Sequence, residues 1–349
     1  MFALFLVVVF SVFGSMNWLI ARTIAMQFPN HKLLIYMIVI LFALTSVISM
    51  VLRDLSIMNF IGTIGHYWIA VSFLGLVVYG IFALIPKDTF WLSTAILVLL
   101  LGIGIYTAQS LKQTDYQIKL AKDTENMRIA LISDTHLGYV NGAKKLETIV
   151  DRVNATNPDV ILIAGDLFDS SVNTIYNLDG VREALNNFKS TYGTYLAWGN
   201  HDAGNTFQEM KEIIDQTDIV LLEDEYIDVG PFVVIGRRDI QPIGEQGGER
   251  LPMDDVVQDA DLTKPVFVID HQPSEVNEYE DYVDLIVSGH THHGQIFPFN
   301  YITNAIFPID YGIMQKENGT YAIVTSGAGF WGPPIRLGTK SEFVIIEVE

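Results

Sequence analysis

Apolar positions in this chain follow two regimes. Up to about residue 111 they form long, nearly unbroken stretches, and beyond about residue 127 they fall into short runs separated by amphipathic segments. Five of the short runs read as strands: Ile129-Ala130-Leu131-Ile132, Val160-Ile161-Leu162-Ile163, Tyr195-Leu196-Ala197-Trp198, Val266-Phe267-Val268-Ile269 and Leu285-Ile286-Val287. Continuous rather than alternating apolar runs suit strands covered on both faces. Between them, Ala143–Val153, Leu178–Phe188 and Phe207–Ile214 read as helices, and strand–helix–strand repetition implies right-handed crossovers in an α/β core. Ile219–Ile235 and Tyr321–Val348 read as hairpin-forming strands, with turn signals at Val229-Gly230-Pro231 and Asn318-Gly319. Arg237–Asp254 is a polar loop holding Gly244, Gly247 and Gly248, and loops that long are usually functional or disordered.

The N-terminal regime predicts membrane spans. Met1–Ala21, Leu33–Leu52, Leu55–Pro86 and Thr89–Leu111 contain no Asp, Glu, Lys or Arg, and a helix needs about 20 apolar residues to cross the hydrocarbon layer. The third stretch is long for one span, so its more polar opening, around Asn59, Gly62, Gly65 and His66, is expected to be an interfacial lead-in. A cleaved signal peptide is the competing reading of the first stretch, but a basic leading segment is missing and three further spans follow. The expected layout is a four-helix transmembrane region over 1–111, a linker over 112–126 and a catalytic domain over 127–349, in a multi-pass protein of the cell membrane. Basic residues do not choose its orientation: Arg22, Lys32 and Lys87 favour one, and Arg53, Lys112, Lys119 and Lys122 the other. With no charge in mid-span, nothing resembles a proton relay. The bundle reads as an anchor, with Gly75, Gly80, Gly102 and Gly104 serving helix packing.

Charge sharpens the division. The 349-residue chain carries a net charge of −19, of which residues 1–106 hold only four basic and two acidic side chains. The remainder has 17 basic and 38 acidic residues, a net −21. Such acidity argues against nonspecific nucleic-acid binding, which depends on lysine and arginine neutralising phosphates. Cysteine is absent, which removes disulfides, thiolate ligands and a cysteine nucleophile.

Every predicted strand runs straight into a polar cluster: Asp134-Thr135-His136, Gly165-Asp166-Leu167-Phe168-Asp169, Gly199-Asn200-His201-Asp202, Asp270-His271 and Gly289-His290-Thr291-His292. Loops at the carboxyl ends of such strands converge on one edge of the sheet, so the five clusters are expected to form one site. Two carboxylates, one amide and four imidazoles are what two adjacent divalent cations need if one carboxylate bridges them. Paired cations are a standard means of splitting phosphate esters, because a hydroxide held between them is a competent nucleophile near neutral pH.

In this order the motifs resemble the calcineurin-like metallophosphoesterase superfamily, over about Met127 to Glu349. Within it, the tail Ser326-Gly327-Ala328-Gly329 and Trp331-Gly332-Pro333-Pro334-Ile335-Arg336-Leu337-Gly338 is similar to bacterial membrane-associated phosphoesterases of the YkuE type. The resemblance implies a four-layer αββα sandwich of two mixed sheets. It also implies one metal on Asp134, His136, Asp166 and His292, and another on Asp166, Asn200, His271 and His290, with Asp166 bridging. His201 would face the scissile phosphate and Asp202 would orient its ring. Oxygen and imidazole donors suit manganese, iron or zinc without choosing among them. Asp169 is expected to support a ligand imidazole, His293 to lie behind the ligands or at the surface, and Arg336 and Arg238 to contact substrate. Ser170 and Trp198 stand where the superfamily's protein Ser/Thr phosphatases carry arginines, so that activity is not expected. The resulting expectation is a membrane-anchored phosphohydrolase for phosphodiesters or phosphomonoesters, lipid-linked or of the cell envelope, with its catalytic domain on the outer face. A non-catalytic sensor of a phosphate ligand and a nuclease are the alternatives. The sequence leaves the oligomeric state open.

Overall fold

The apolar stretches form four helices: α1 (Phe2–Gln27), α2 (Lys32–Val51), α3 (Met58–Phe82) and α4 (Phe90–Gln109). Each contains a segment long and apolar enough to cross a membrane. The computed structural model describes residues 2–53, 55, 58–85, 88–241 and 249–349, with side chains from Val7 onward. Gly244, Gly247 and Gly248 of the polar loop lie outside the described residues. By contacts the chain divides into two compact units, Met1–Tyr106 with Gly332–Ile335, and Thr107–Trp331 with Arg336–Glu349.

In the first unit α3 packs against both α1 and α2 and is the most buried of the four. Its opening turns, expected to be an interfacial lead-in, pack against α2. Asn59, Gly62 and Gly65 are buried, and the Ser46 hydroxyl donates to the Gly65 carbonyl at 2.9 Å. A Cβ on Gly65 would lie 2.8 Å from the Ser46 Cα. Small and polar residues here mark where two helices touch, because dispersion contacts and interhelical hydrogen bonds replace a hydrophobic drive inside a bilayer. Asn17 is held likewise: its amide nitrogen donates to the Phe13 carbonyl, and its oxygen accepts from the Trp68 indole at 2.8 Å. A Cβ on Gly75 would meet Ile20, whereas one on Gly80 or Gly102 would meet nothing. Packing therefore explains Gly75 and not those two.

The second unit contains, in chain order, β1 (Leu111–Ile118), β2 (Met127–Ile132), α5 (Ala143–Asn154), β3 (Val160–Ala164), α6 (Leu178–Asn186), β4 (Thr194–Ala197), α7 (Phe207–Asp215), β5 (Ile219–Leu221), β6 (Glu225–Asp228) and β7 (Val233–Gly236). It continues with α8 (Met253–Val256), β8 (Val266–Ile269), β9 (Leu285–Ser288), α9 (Asn300–Ile306), β10 (Gly312–Gln315), β11 (Tyr321–Val324) and β12 (Ser341–Val348). Two six-stranded sheets result, ordered β1-β12-β2-β3-β4-β5 and β10-β11-β9-β8-β7-β6. Both are mixed: β2 to β5 run parallel with β12 antiparallel to β2, and β7, β8, β9 and β11 run parallel with antiparallel edges.

Alternation along each strand sorts side chains into layers. Ile129, Leu131 and Leu162 meet Val234, Phe267 and Val287 between the sheets. Ala130, Ile132, Ile161 and Ile163 face outward into a core shared with α5, α6 and α7. Val233, Ile235, Val266 and Ile286 face the other way, under Val256, Val276 and Tyr279. This is the four-layer α/β arrangement that the resemblance implied, with a thin final layer.

Two expectations are corrected. Leu111–Ile118, where the end of the transmembrane region at 111 and a linker from 112 were expected, is a strand paired parallel to β12 from Leu111↔Ser341 to Ile118↔Val348. Its polar sequence hid it, because an edge strand exposes much of its surface and needs no apolar run. Tyr321–Val348 is not one hairpin either. The Asn318-Gly319 turn joins β10 to β11, while β12 belongs to the other sheet. Gly65→Leu should lower the melting temperature in detergent, at a cost of about 1–3 kcal/mol for overpacking. Gly80→Ala should leave it unchanged or raise it, and equal behaviour of the two variants would contradict this helix contact.

Candidate metal centre

The ligand-type residues sit one to five positions beyond the ends of β2, β3, β4, β8 and β9. Five of them, Asp134, His136, Asp166, His290 and His292, have positive φ between 45° and 70°. Left-handed backbone at a non-glycine residue costs on the order of 1–3 kcal/mol and persists only where the surroundings enforce it. Those turns swing the side chains inward from both sheets. Glycines at two turns permit the approach: a Cβ on Gly199 would collide with the Asp166 carboxylate, and one on Gly289 with Asp134.

Two ligand groups result. In the first, the Nε2 atoms of His136 and His292 face each other at 3.1 Å, with Asp134 Oδ1 at 3.3 Å from His292 Nε2 and 3.9 Å from His136 Nε2. In the second, His271 Nε2 lies 3.2 Å from both Asp166 Oδ2 and Asn200 Oδ1, and His290 Nδ1 lies 2.8 Å from the same amide oxygen. Asp166 Oδ2 also lies 3.6 Å from His136 Nε2, so one carboxylate oxygen stands between the groups. Asp166 Oδ1 is fixed by the His201 backbone N–H at 2.7 Å.

The donor chemistry fits divalent ions. His271 Nδ1 is 2.8 Å from the Ala164 carbonyl, which can only accept, so Nδ1 carries a proton and Nε2, once deprotonated, would turn a lone pair toward two oxygens. Acceptors converging on acceptors call for positive charge between them. Burial alone would lower His271, but the Asp166 carboxylate, with Asp134 behind it, lifts it well above the ordinary imidazole value. Burial would also raise Asp166, yet His271 and His136 hold it below the usual carboxylate range. Burial, with His271 next to it, pushes His290 down to about 3. Without an ion, then, a proton on His271 supplies the charge the cage lacks.

All seven expected ligands thus come together, and His201 and Asp169 join them. Asp169 Oδ1 lies 3.7 Å from His136 Nδ1 and 3.6 Å from His201 Nδ1, as expected of a carboxylate behind ligand imidazoles. Asp202 is placed differently from its expected role. It is fully buried, and its carboxylate accepts from the backbone N–H groups of Phe168 (2.7 Å), Gly199 (2.9 Å) and Leu167 (3.2 Å). It ties two ligand loops together, and Asp169 and Ser170 are the groups beside the His201 ring. Burial, then Asp166, raises Asp202 to about 7.

Arg336, expected at the substrate rim, is buried as well. Its guanidinium donates to the carbonyls of Ser326 (2.5 Å), Gly329 (2.8 Å) and His292 (3.2 Å), so it braces the His292 turn from behind. Arg238 gives its backbone N–H to Asp224, the carboxylate that pairs with Arg237 at 2.8 Å. His293 stacks on Tyr311, with ring centroids 4.4 Å apart. Three contributors were not assigned to the site from the sequence, Ser170 having been named only as a departure from the protein Ser/Thr phosphatases. Ser170 Oγ is 3.3 Å from His201 Nδ1, Arg250 pairs with Asp270 beside His271 at 2.6 Å, and the Gln295 side chain bonds both the N–H and the carbonyl of Trp331. Only Ser170, adjacent to a motif, carried a local signal.

With this geometry in view, comparison with known proteins identifies the class. Residues 127–294 match the family model described as calcineurin-like phosphoesterase. An Aquifex aeolicus metallophosphoesterase is 32% identical over 66% of this chain and 88% of its own length. A Campylobacter jejuni metallophosphoesterase is 32% identical over 68% of this chain, but the match spans only 63% of that relative. A Danio rerio transmembrane protein with metallophosphoesterase domain is 30% identical over 69% of this chain and 58% of its own length. The chain belongs to the calcineurin-like metallophosphoesterases. These matches carry the family, not the YkuE-type subgroup.

An ion entering the second group must displace the His271 proton. Metal uptake should therefore release a proton and tighten as pH rises through neutrality. Calorimetry in buffers of differing ionisation enthalpy measures that release, and pH-independent uptake between about 6 and 8 would contradict the assignment. Arg336→Met should cost about 3 kcal/mol or more by leaving buried carbonyls unpaired, while KM for the surviving enzyme stays put. A raised KM with unchanged melting temperature would restore the substrate-clamp role.

Proposed function

We propose that the chain is a membrane-anchored, two-metal phosphohydrolase acting on phosphodiesters or phosphomonoesters. The observation that carries this is the sharing of Asp166 Oδ2 between two ligand groups drawn from both sheets. One ion would be held by Asp134, His136, Asp166 and His292, the other by Asp166, Asn200, His271 and His290. Manganese, iron and zinc all suit this donor set. Two such ions would supply Lewis acidity at the phosphoryl oxygens and a water acidic enough to attack phosphorus at neutral pH.

The chain's own residues do the rest. Asp166, between the two groups, would offset the mutual repulsion of two dications held there. Burial and the neighbouring His136 hold His201 below its ordinary value, so its ring is neutral at pH 7. Ser170 and Asp169 lie at His201 Nδ1, which leaves Nε2 to meet a bound phosphate. With the Ser170 hydroxyl donating to Nδ1, the neutral ring carries its proton on Nε2 and can donate a hydrogen bond from there to a phosphoryl oxygen. Trp331, itself half exposed, flanks that side of the His201 ring, 5.8 Å away between centroids.

Four helices of spanning length support a multi-pass cell-membrane protein, with a transmembrane region ending near residue 111 and a catalytic domain that begins at β1. We place the catalytic domain on the outer face, where lipid-linked or cell-envelope phosphate esters are the substrates within its reach. The acidic surface supports no nucleic-acid partner.

Full-length protein in detergent with added manganese should hydrolyse an aryl phosphodiester. His201→Ala should lower kcat by about 10²–10⁴-fold while both ions remain. Asp166→Asn should abolish activity and reduce the bound metal, as measured by elemental analysis. Full activity in both variants would sink this reading, and tight binding of phosphate esters without turnover would favour a sensor.

A further inference from the structure

Beside the metal centre the chain carries a helix that is inside out. α9 has no buried residue, and its apolar side chains face solvent: Tyr301 is 67% exposed, Ile302 53% and Ile306 65%, with Phe297 just before it at 59%. Polar side chains hold it down instead. Thr303 Oγ1 donates to the buried Asp310 carboxylate at 2.7 Å, and the Asn304 amide donates to it at 3.2 Å. A surface helix of a soluble domain turns its apolar face inward, because burial of that face is what stabilises it. Contiguous exposed apolar surface of this kind marks an interaction site.

The patch is continuous with the ligand groups. Phe307, at the end of α9, lies edge-on to the His290 ring with centroids 5.7 Å apart. Gln295, two residues before Phe297, holds Trp331 through both of its backbone groups, and Trp331 lies beside His201.

Charge identifies the occupant. From Gly294 to Ile309 there is no charged residue, in a part of the chain whose net charge is −21. A soluble protein partner would leave such a run without the polar rim that protein interfaces carry. A bilayer interface accepts it: aromatic rings settle at headgroup depth, aliphatic side chains just below, and the absence of acidic groups spares repulsion from anionic lipids. The same chain already carries four helices of spanning length.

We infer that the Phe297–Phe307 segment seats the catalytic unit in the lipid interface, independently of the helical anchor, so that the metal centre meets phosphate esters carried on lipids in preference to dissolved ones. The substrate half of this inference rests on the hydrolase reading above, whereas the membrane contact does not.

The chain has no cysteine, so single cysteines introduced for labelling are unique. A nitroxide on Ile302→Cys, in full-length protein in phosphatidylcholine nanodiscs, should relax more with oxygen than with a water-soluble nickel chelate. The same label on exposed Asp261→Cys should show the reverse. Water-like accessibility at position 302 overturns the contact, whether or not the chain hydrolyses anything. For the substrate half, the combined variant Tyr301→Ser, Ile302→Ser and Ile306→Ser is compared with the parent chain on two diesters sharing a 4-nitrophenyl leaving group. Turnover of the hexadecyl ester in nanodiscs should fall about tenfold or more, and turnover of the methyl ester in solution should stay within about twofold. Equal effects on the two esters overturn lipid selection. If the parent chain hydrolyses neither, the hydrolase reading fails and the label alone decides the contact.

Discussion

Everything chemical in this molecule is organised around the carboxylate of Asp166. It stands at the end of β3, buried, with one oxygen fixed by the His201 backbone and the other within 3.6 Å of imidazoles from each ligand group. A buried carboxylate in this position is tolerable only if positive charge is nearby. In the bare chain His271 supplies it as an imidazolium, and a pair of divalent ions would supply far more. The surrounding architecture can be understood as a means of bringing neutral or cationic partners to that one oxygen from two sheets whose shared core is aliphatic and aromatic.

The turns that accomplish this are held against their own preference. Asp134, His136, Asp166, His290 and His292 are all left-handed, and nothing in their side chains favours that strongly. Asp202 bonds the loops after β3 and β4 to one another, and Arg336 ties the His292 turn to the Ser326–Gly329 segment. Their work is to keep strained backbone from relaxing, which is how active sites generally retain geometry that local energetics would abandon.

That division explains what the sequence could and could not convey. Strand followed by polar cluster was legible five times over, because an apolar run buried on both faces is a local property and the ligand motifs sit directly behind it. β1 escaped notice because an edge strand has little need of apolar residues. The packing at the start of α3 was not legible because glycine, asparagine and serine look alike at a headgroup and at a helix–helix contact, and Ser46 against Gly65 is what reveals it. Asp202 and Arg336 looked like chemistry because charged residues next to catalytic motifs usually face the solvent side. Whether such a group points into the cavity or into the backbone behind it depends on loops far away in sequence.

One feature of the first sheet bears on how the protein is made. β12 lies between β1 and β2, paired with Leu111–Ile118 on one side and Met127–Leu131 on the other. Until residues 341–348 have emerged from the ribosome, β1 and β2 have no common neighbour, and two open strand edges face each other across a gap. The Ser326–Gly329 segment, whose Ala328 and Gly329 N–H groups bond the Ser133 and Asp134 carbonyls, also arrives late. Until then the nascent chain carries an unfinished sheet and an unbraced Asp134. Exposed edges of that kind invite mispairing until β12 takes its place between them.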